Sequence, residues 1–399
     1  MSYQKAQLAY CSNVHPGASL TTVERNLSEH FSQVRQLRQL PEMSSGLWLS
    51  AQTADELMSS AETLARFKQN LNDNGVLLTS LNGFPFGNFH LDVVKEKVYL
   101  PTWAEASRLT YTQQLAEILA ACLPENINIG AISTLPFAYA STWSEELHQA
   151  AIKQLLELTC YLKTLEQKTN KRIVLCIEME PDCVFQSTDE LVNFFTNDLL
   201  PSALKNKISK ADVLRYIGCC FDTCHQAVMN ENIEQSLSQI NQAGIYIGKI
   251  QISNAIKATL NDQQSVTALT QLFQDQKFLH QSKIFNNNQF VAAVADLNEV
   301  ELSQLLTAQQ QITANIHYHI PIHQTEFSQA FLSSTQVAIT TTLDFVKNQL
   351  SYQPYLEIET YTWLNLIADN HQQTFNLHQG LAAEFTWLEQ ALADRGLIQ

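Results

Sequence analysis

Residues 217 to 227 read Ile-Gly-Cys-Cys-Phe-Asp-Thr-Cys-His-Gln-Ala. The apolar run Ile217 to Phe221 ends in Asp222, and three residues later comes His225. A short segment that is apolar on both faces and stops at a polar turn has the pattern of a buried parallel strand. A carboxylate where such a strand ends, with a histidine in the loop behind it, is how an α/β barrel offers ligands to a divalent metal. The other strands are therefore judged by whether they bring polar groups to the same mouth.

On both sides of this stretch, strands and helices alternate. Tyr10 to Asn13 closes a first strand, and capping-box spacing at Thr21 to Glu24 opens a helix with Val23, Leu27, Val34 and Leu37 as its stripe. Gly46 to Ser50 is a second strand. Thr53 to Glu56 opens one helix that carries Leu57, Ala61, Leu64, Phe67 and Leu71 and stops at Asn74-Gly75. Val76 to Leu81 is a third strand, followed by Asn82-Gly-Phe-Pro-Phe-Gly-Asn-Phe-His90, whose aromatics, glycines and histidine read as a substrate-covering loop. A helix over Tyr111 to Cys122, a fourth strand at Ile129 to Thr134 and a helix near Trp143 to Gln167 come next. Arg172 to Glu178 is the fifth strand, continuing Met179-Glu180-Pro181, and Ser187 to Glu190 caps the helix after it. The opening stretch is the sixth strand. Ile233, Leu237 and Ile240 mark a short helix closed by Gly244, and Ile245 to Ser253 is the seventh strand, with Gln251 near its end.

The rhythm then breaks. Glu178 to Asp222 is 44 positions and Asp222 to Gln251 is 29, but the next barrel strand, Tyr355 to Thr360, puts Glu359 108 positions beyond Gln251. An insertion over about 254–325 on the catalytic side accounts for the gap, with Asn286-Asn287-Asn288 marking a small hairpin and Asn315 to His323 a polar strand. A helical tail over about 363–399 carries Leu381, Phe385, Leu388 and Leu392. Eight strand–helix repeats predict a (β/α)8 barrel, one domain over 1–399, with function at the C-terminal strand ends. An open doubly wound sheet would announce a glycine-rich phosphate loop after the first strand, and no G-x-G-x-x-G is present.

Lys plus Arg number 24 and Asp plus Glu 39, a net charge of −15. That surface disfavours nucleic acid, whose binding depends on basic residues neutralising phosphate. No apolar run approaches the roughly 20 residues of a membrane span, and Met1 to Ala6 enters a predicted strand without a signal peptide's apolar core. Cys122, Cys160, Cys176, Cys219 and Cys220 sit inside apolar strands or helices, as reduced thiols of a cytoplasmic enzyme do. The sequence leaves a homodimer open.

At the expected strand ends stand His15, Asn82, His90, Glu178, Glu180, Asp222, His225, Gln251, His317, His319, Glu357 and Glu359. Carboxylates and imidazoles converging on one mouth are what a divalent metal ion such as Mn, Mg, Zn or Co uses. Glu178, Asp222 and Glu359 each close an apolar run, and each would bury an uncompensated charge unless something cationic sat between them. Alternation does not choose between Glu178 and Glu180 or between Glu357 and Glu359, because side chains two apart share a face. Glu178 is favoured because it closes the run, and Glu359 because it lies nearer its strand's end. Sealing the barrel is the open alternative for His317, His319 and the phenylalanines of the 82–90 loop.

Asp222-Thr-Cys-His225 after an apolar strand, with Glu178 before it and Glu359 after it, resembles the xylose-isomerase-like TIM-barrel superfamily. That group includes sugar-phosphate isomerases and epimerases, inosose-processing enzymes and endonuclease IV. The stretches at 11–17 (C-S-N-V-H-P-G), 81–90 (L-N-G-F-P-F-G-N-F-H) and 94–99 (V-K-E-K-V-Y) resemble the EboE family, named for metabolite traffic. So do 221–228 (F-D-T-C-H-Q-A-V), 249–253 (K-I-Q-I-S) and 356–363 (L-E-I-E-T-Y-T-W). The resemblance implies that Glu178 and Glu359 are metal ligands flanking the substrate, Asp222 a third ligand, and His225 a ligand to a second metal or a substrate contact. Gln251 falls where the superfamily presents a histidine ligand; an amide oxygen can bind a hard cation less well. His15, Asn82, His90, His317 and His319 would line the substrate site.

Three functions compete. The first is a metal-dependent isomerase or epimerase of a small polyol, sugar or cyclitol, with Glu178 and Glu359 exchanging a proton on opposite faces. The second is a metal-assisted phosphoester hydrolase of the endonuclease IV type, and the third a non-catalytic barrel that binds and hands on a metabolite.

Overall fold

The computed structural model describes residues 2–88, 90, 94–273, 278–363 and 376–398. Phe89 of the aromatic loop and 364–375 of the C-terminal tail lie outside them. Seven barrel strands come first: β1 (Ala9–Tyr10), β2 (Met43–Trp48), β3 (Val76–Asn82), β4 (Ile129–Thr134), β5 (Arg172–Glu178), β6 (Ile217–Asp222) and β7 (Ile247–Ile252). A second set follows: β8 (Asn254–Leu260), β9 (Ser282–Asn286), β10 (Gln289–Val294), β11 (Ile312–Ile320) and β12 (Leu332–Ser334), before β13 (Tyr355–Ile358) completes the barrel. The parallel sheet runs β1-β13-β7-β6-β5-β4-β3-β2, and a bridge between Cys11 and Gly46 joins its ends. Eight parallel strands with helices between them form the expected barrel.

Local capping departs from expectation in instructive ways. The first helix, Leu20–Asn26, is capped by Ser19 through the Thr22 amide, not by Thr21. Ser19 has the extended backbone a cap needs, whereas Thr21 already lies in the first turn. The helix expected as one piece from Thr53 is two, Ala51–Met58 and Ala61–Asp73, capped by Ser50 and Ser60. Both halves of the expected capping box at Ser187 and Glu190 are present. The loop expected behind β6 is instead a helix, Thr223–Val228, with Asp222 as its cap, so His225 sits in its first turn.

The insertion builds an antiparallel sheet, ordered β10-β9-β11-β8-β12, and reaches past its expected end near 325, because β12 at Leu332–Ser334 pairs with β8. Asn287 and Asn288 form the two-residue turn between β9 and β10, both at positive φ, which asparagine tolerates. The insertion has a small core of its own, including Ile256, Leu269, Leu302, Ile316 and Tyr318. The C-terminal helix, Leu377–Ala393, buries Leu381, Phe385, Leu388 and Leu392 as its pattern predicts. Among the described residues no helix is long and apolar enough to cross a membrane.

Inside the barrel, Lys249 of β7 meets Glu357 of β13 at 2.8 Å, both fully buried. Ser80 Oγ donates to the second carboxylate oxygen at 2.8 Å. Burial pushes the Lys249 ammonium down, but the Glu357 carboxylate, with smaller contributions from Cys220 and Cys11, holds it above its ordinary value. Gly46 makes room for this carboxylate, since a Cβ there would lie 1.8 Å from a Glu357 oxygen. Lys249→Met is expected to cost about 3–5 kcal/mol in urea unfolding, because it strands a buried carboxylate. Adding Glu357→Gln should recover part of that loss; equal losses in single and double variants would show that the pair is not coupled.

Candidate metal-binding active site

The C-terminal ends of the barrel strands open into a cavity of about 100 Å³, lined in part by the insertion. β5 carries Glu178 to its mouth, β6 ends on Asp222, and the residue after β13 is Glu359. One oxygen from each of these carboxylates lies within 4.8 Å of the other two, and all three side chains are buried. The sequence ambiguity is resolved by placement: Glu359 faces this mouth, while Glu357, two residues earlier, is in the ion pair below it.

Each carboxylate is held differently. Asp222 Oδ1 accepts from the His225 amide at 2.9 Å and from Ser253 Oγ at 2.7 Å. Glu359 Oε1 accepts from Asn13 Nδ2 at 2.5 Å and from Asn82 Nδ2 at 3.5 Å. Glu178 Oε2 and Asp222 Oδ2 have no hydrogen-bond partner despite being buried. Burial, then the neighbouring Glu359 and Asp222, push the Glu178 carboxyl well above its ordinary value. Burial followed by Asp222 does the same to Glu359. Two orphaned oxygens among three converging carboxylates are the donor set a hard divalent cation fits, so Glu178, Asp222 and Glu359 could hold one.

Glu180 also lines the cavity and is raised by burial, but it is engaged: Tyr99 OH donates to it at 2.7 Å and Gln281 Nε2 at 3.4 Å. His225, His317 and His319 line the same cavity. His225 Nδ1 lies 2.8 Å from the Met179 carbonyl and His319 Nδ1 2.8 Å from the Glu359 carbonyl. A carbonyl only accepts, so each Nδ1 donates and each Nε2 is left facing the cavity, an orientation common in metal-binding histidines. Burial pushes His319 down to about 4, and burial followed by His225 takes His317 well below the ordinary range.

Of the other sequence candidates, Asn82 lines the cavity while His15, His90 and Gln251 do not. His15 is buried against Tyr10, whose hydroxyl meets its Nε2 at 3.0 Å, and it stacks on His30 at 4.0 Å. It does not line the cavity. His90 does not line it either; its ring lies 6.2 Å from that of Trp48. Gln251 sits in register with Asp222 on one side and Glu357 on the other, fully buried, and neither amide atom is hydrogen-bonded. Asn82 lines the cavity, with its amide turned to Glu359 and Cys11.

Several contributors escaped the sequence reading. Asn13 holds Glu359 and stands where the first strand was expected to close, a polar strand end that was not among the candidates; Tyr99 and Gln281 hold Glu180 and lie on no strand end that patterning singles out. Glu384 had a signal, being a carboxylate on the apolar stripe between Leu381 and Leu388. It accepts from Thr360 Oγ1 and Trp363 Nε1, both at 2.7 Å, and from the Ile322 amide at 3.0 Å. The C-terminal helix thereby fixes the segment carrying Glu359 to the end of the insertion. Burial raises Glu384 to about 7, against the pull of those three donors.

No protein-family model matches the chain, and no curated protein matches it. Solved structures do. A D-tagatose 3-epimerase-like protein aligns over 97% of this chain and 97% of its own, with a TM-score of 0.51 and 12% identity. A protein assigned as a sugar phosphate isomerase/epimerase, from Anabaena variabilis ATCC 29413, aligns over 98% of this chain and 99% of its own, with a TM-score of 0.50 and 10% identity. At these identities the likeness establishes the fold alone, the (β/α)8 barrel.

The raised glutamates set a pH dependence. Glu178 and Glu359 bind protons more tightly folded than unfolded, so stability falls as pH rises from the ordinary value of 4.5 through their folded-state values. For chelator-treated protein, Glu178→Gln is expected to flatten this fall in melting temperature and to leave the variant more stable than wild type at neutral pH. Parallel curves for the two proteins would contradict the assignment.

Proposed function

We propose that this protein is a metal-dependent isomerase or epimerase of a small polyol, sugar or cyclitol, working by proton transfer between Glu178 and Glu359. The observation carrying this reading is the buried convergence of Glu178, Asp222 and Glu359 at the mouth of the barrel. The sequence likeness to EboE supports a place in metabolite traffic or secondary metabolism. Eight unpaired cysteines suit a reducing, cytoplasmic setting.

In this reading Glu178, Asp222 and Glu359 hold the ion, with His225 and Gln251 as further donors. A divalent ion bound there would polarise a substrate carbonyl and the neighbouring hydroxyl, acidifying the carbon between them. Glu178, with one oxygen unengaged, takes the proton from that carbon. Glu359, oriented by Asn13 and Asn82, returns a proton to the opposite face, or the two act in reverse. Asp222, fixed by the His225 amide and Ser253, stays out of the exchange. Tyr99, Phe84 and Tyr361 present ring surfaces around the cavity that suit the apolar face of a sugar or cyclitol.

A non-catalytic carrier is the second reading, favoured by the unbonded amide of Gln251 where the superfamily presents an imidazole. Phosphoester hydrolysis has less support: Lys95 is the one Lys or Arg among the described cavity-lining residues, and Asp296 already pairs with it.

The test is deuterium exchange by NMR, with a panel of polyols, sugars and cyclitols in heavy water. The isomerase reading expects deuterium at one carbon of a substrate, with the rate falling by about 10²–10⁴ in Glu178→Gln and in Glu359→Gln. Exchange that persists in both variants would reject the proton pair. Ligand binding that survives chelation without any exchange would favour the carrier.

A further inference from the structure

The three carboxylates do not account for the imidazoles across the mouth. His317 and His319 approach Nε2 to Nε2 at 3.3 Å. His319 Nδ1 donates to the Glu359 carbonyl. His317 Nδ1 lies 2.9 Å from Gln281 Oε1, and the orientation of that amide is set by its nitrogen, which faces Tyr99 OH, Glu180 Oε1 and the Pro181 carbonyl. Both Nδ1 atoms are therefore committed as donors. In the neutral rings, two lone pairs face each other with no hydrogen between them, which is unfavourable unless a cation lies there.

The backbone is shaped to produce this. β11 follows β8 in register to Ile316–Ile256 and resumes at Ile320–Asn254, so four residues on β11 span two on β8. A bulge of this kind re-aims side chains. Here it falls on His317-Tyr318-His319, sending both histidines to the mouth while Tyr318 packs into the insertion core. Cys224, in the first turn of the Thr223–Val228 helix, brings a third donor: its Sγ and one nitrogen from each histidine lie within 4.8 Å of one another.

We infer that His317, His319 and Cys224 form a second metal site, supplied by the insertion and distinct in chemistry from the carboxylate site. Nitrogen ligands about 2.0–2.1 Å from a tetrahedral zinc ion stand about 3.3–3.4 Å apart, which matches the observed imidazole separation. Two imidazoles and a thiolate select zinc or another borderline-soft transition metal, whereas the three carboxylates suit a harder ion. Cys224 releases its thiol proton to solvent on binding. Packing against Val228 and Ala255 explains why Cys224 is buried but not why two imidazoles face each other beside it. His317 and His319 thereby become ligands rather than substrate contacts. The inference does not depend on the reaction proposed above.

Cobalt(II) titration of chelator-treated full-length protein tests it, read by absorption and by metal analysis after desalting. Wild type is expected to bind two ions and to show a thiolate-to-cobalt charge-transfer band. Cys224→Ser should lose that band, and His317→Ala should lose one ion. Glu178→Gln should keep the band, whether or not it retains activity. The wild-type spectrum needs no variant to fold: absence of the band, or its survival in Cys224→Ser, overturns the site. Two ions and the band without sugar exchange would instead reject the isomerase reading alone.

Discussion

Three carboxylates delivered by three strands into one buried mouth are the constraint around which the remaining structure is arranged. Unit charges of like sign 4 Å apart repel by about 4 kcal/mol even at an effective dielectric near 20, and here two of the oxygens lack a donor. Hydrogen bonds from Asn13 and Asn82 fix one oxygen of Glu359, and those from Ser253 and the His225 amide fix one of Asp222, so these two carboxylates are kept from swinging apart. The surroundings hold Asp222 and Glu359 in place without neutralising them, an arrangement that could hold a cation.

The layer below makes the contrast. Glu357 and Glu359 are two residues apart and enter the same barrel, yet Glu357 has Lys249 and Ser80 as partners. Stability is served where the charge is matched internally, and chemistry is available where it is not. The C-terminal helix enters this logic through Glu384, whose bonds to Thr360, Trp363 and Ile322 tie the segment bearing Glu359 to the insertion. The insertion in turn supplies Gln281, His317 and His319, so barrel and insertion together line the mouth and the tail braces it.

Much of this was legible in the sequence. Buried parallel strands announce themselves as short apolar runs, and β4 and β5 fall on their expected residues. The carboxylates that close such runs stand out because a charge buried at the end of an apolar strand has to be compensated. Caps were misplaced where serines compete with threonines a few residues apart, since local spacing does not show which backbone is extended. Histidines were harder. His15 follows a strand as His225 does, but its ring turns to Tyr10 and His30, a choice made by tertiary packing. Gln281 and Tyr99 carry no periodic signal, and their role appears only when the insertion folds over the barrel.

The most direct test of the central claim is the divalent-metal affinity of the carboxylate site, measured calorimetrically by titrating chelator-treated protein with manganese. Wild type should be compared with Asp222→Asn, which keeps an oxygen to cap the following helix. Saturable binding is expected in wild type and its loss in the folded variant. A wild type that binds no ion, or a variant that binds as tightly, would contradict it.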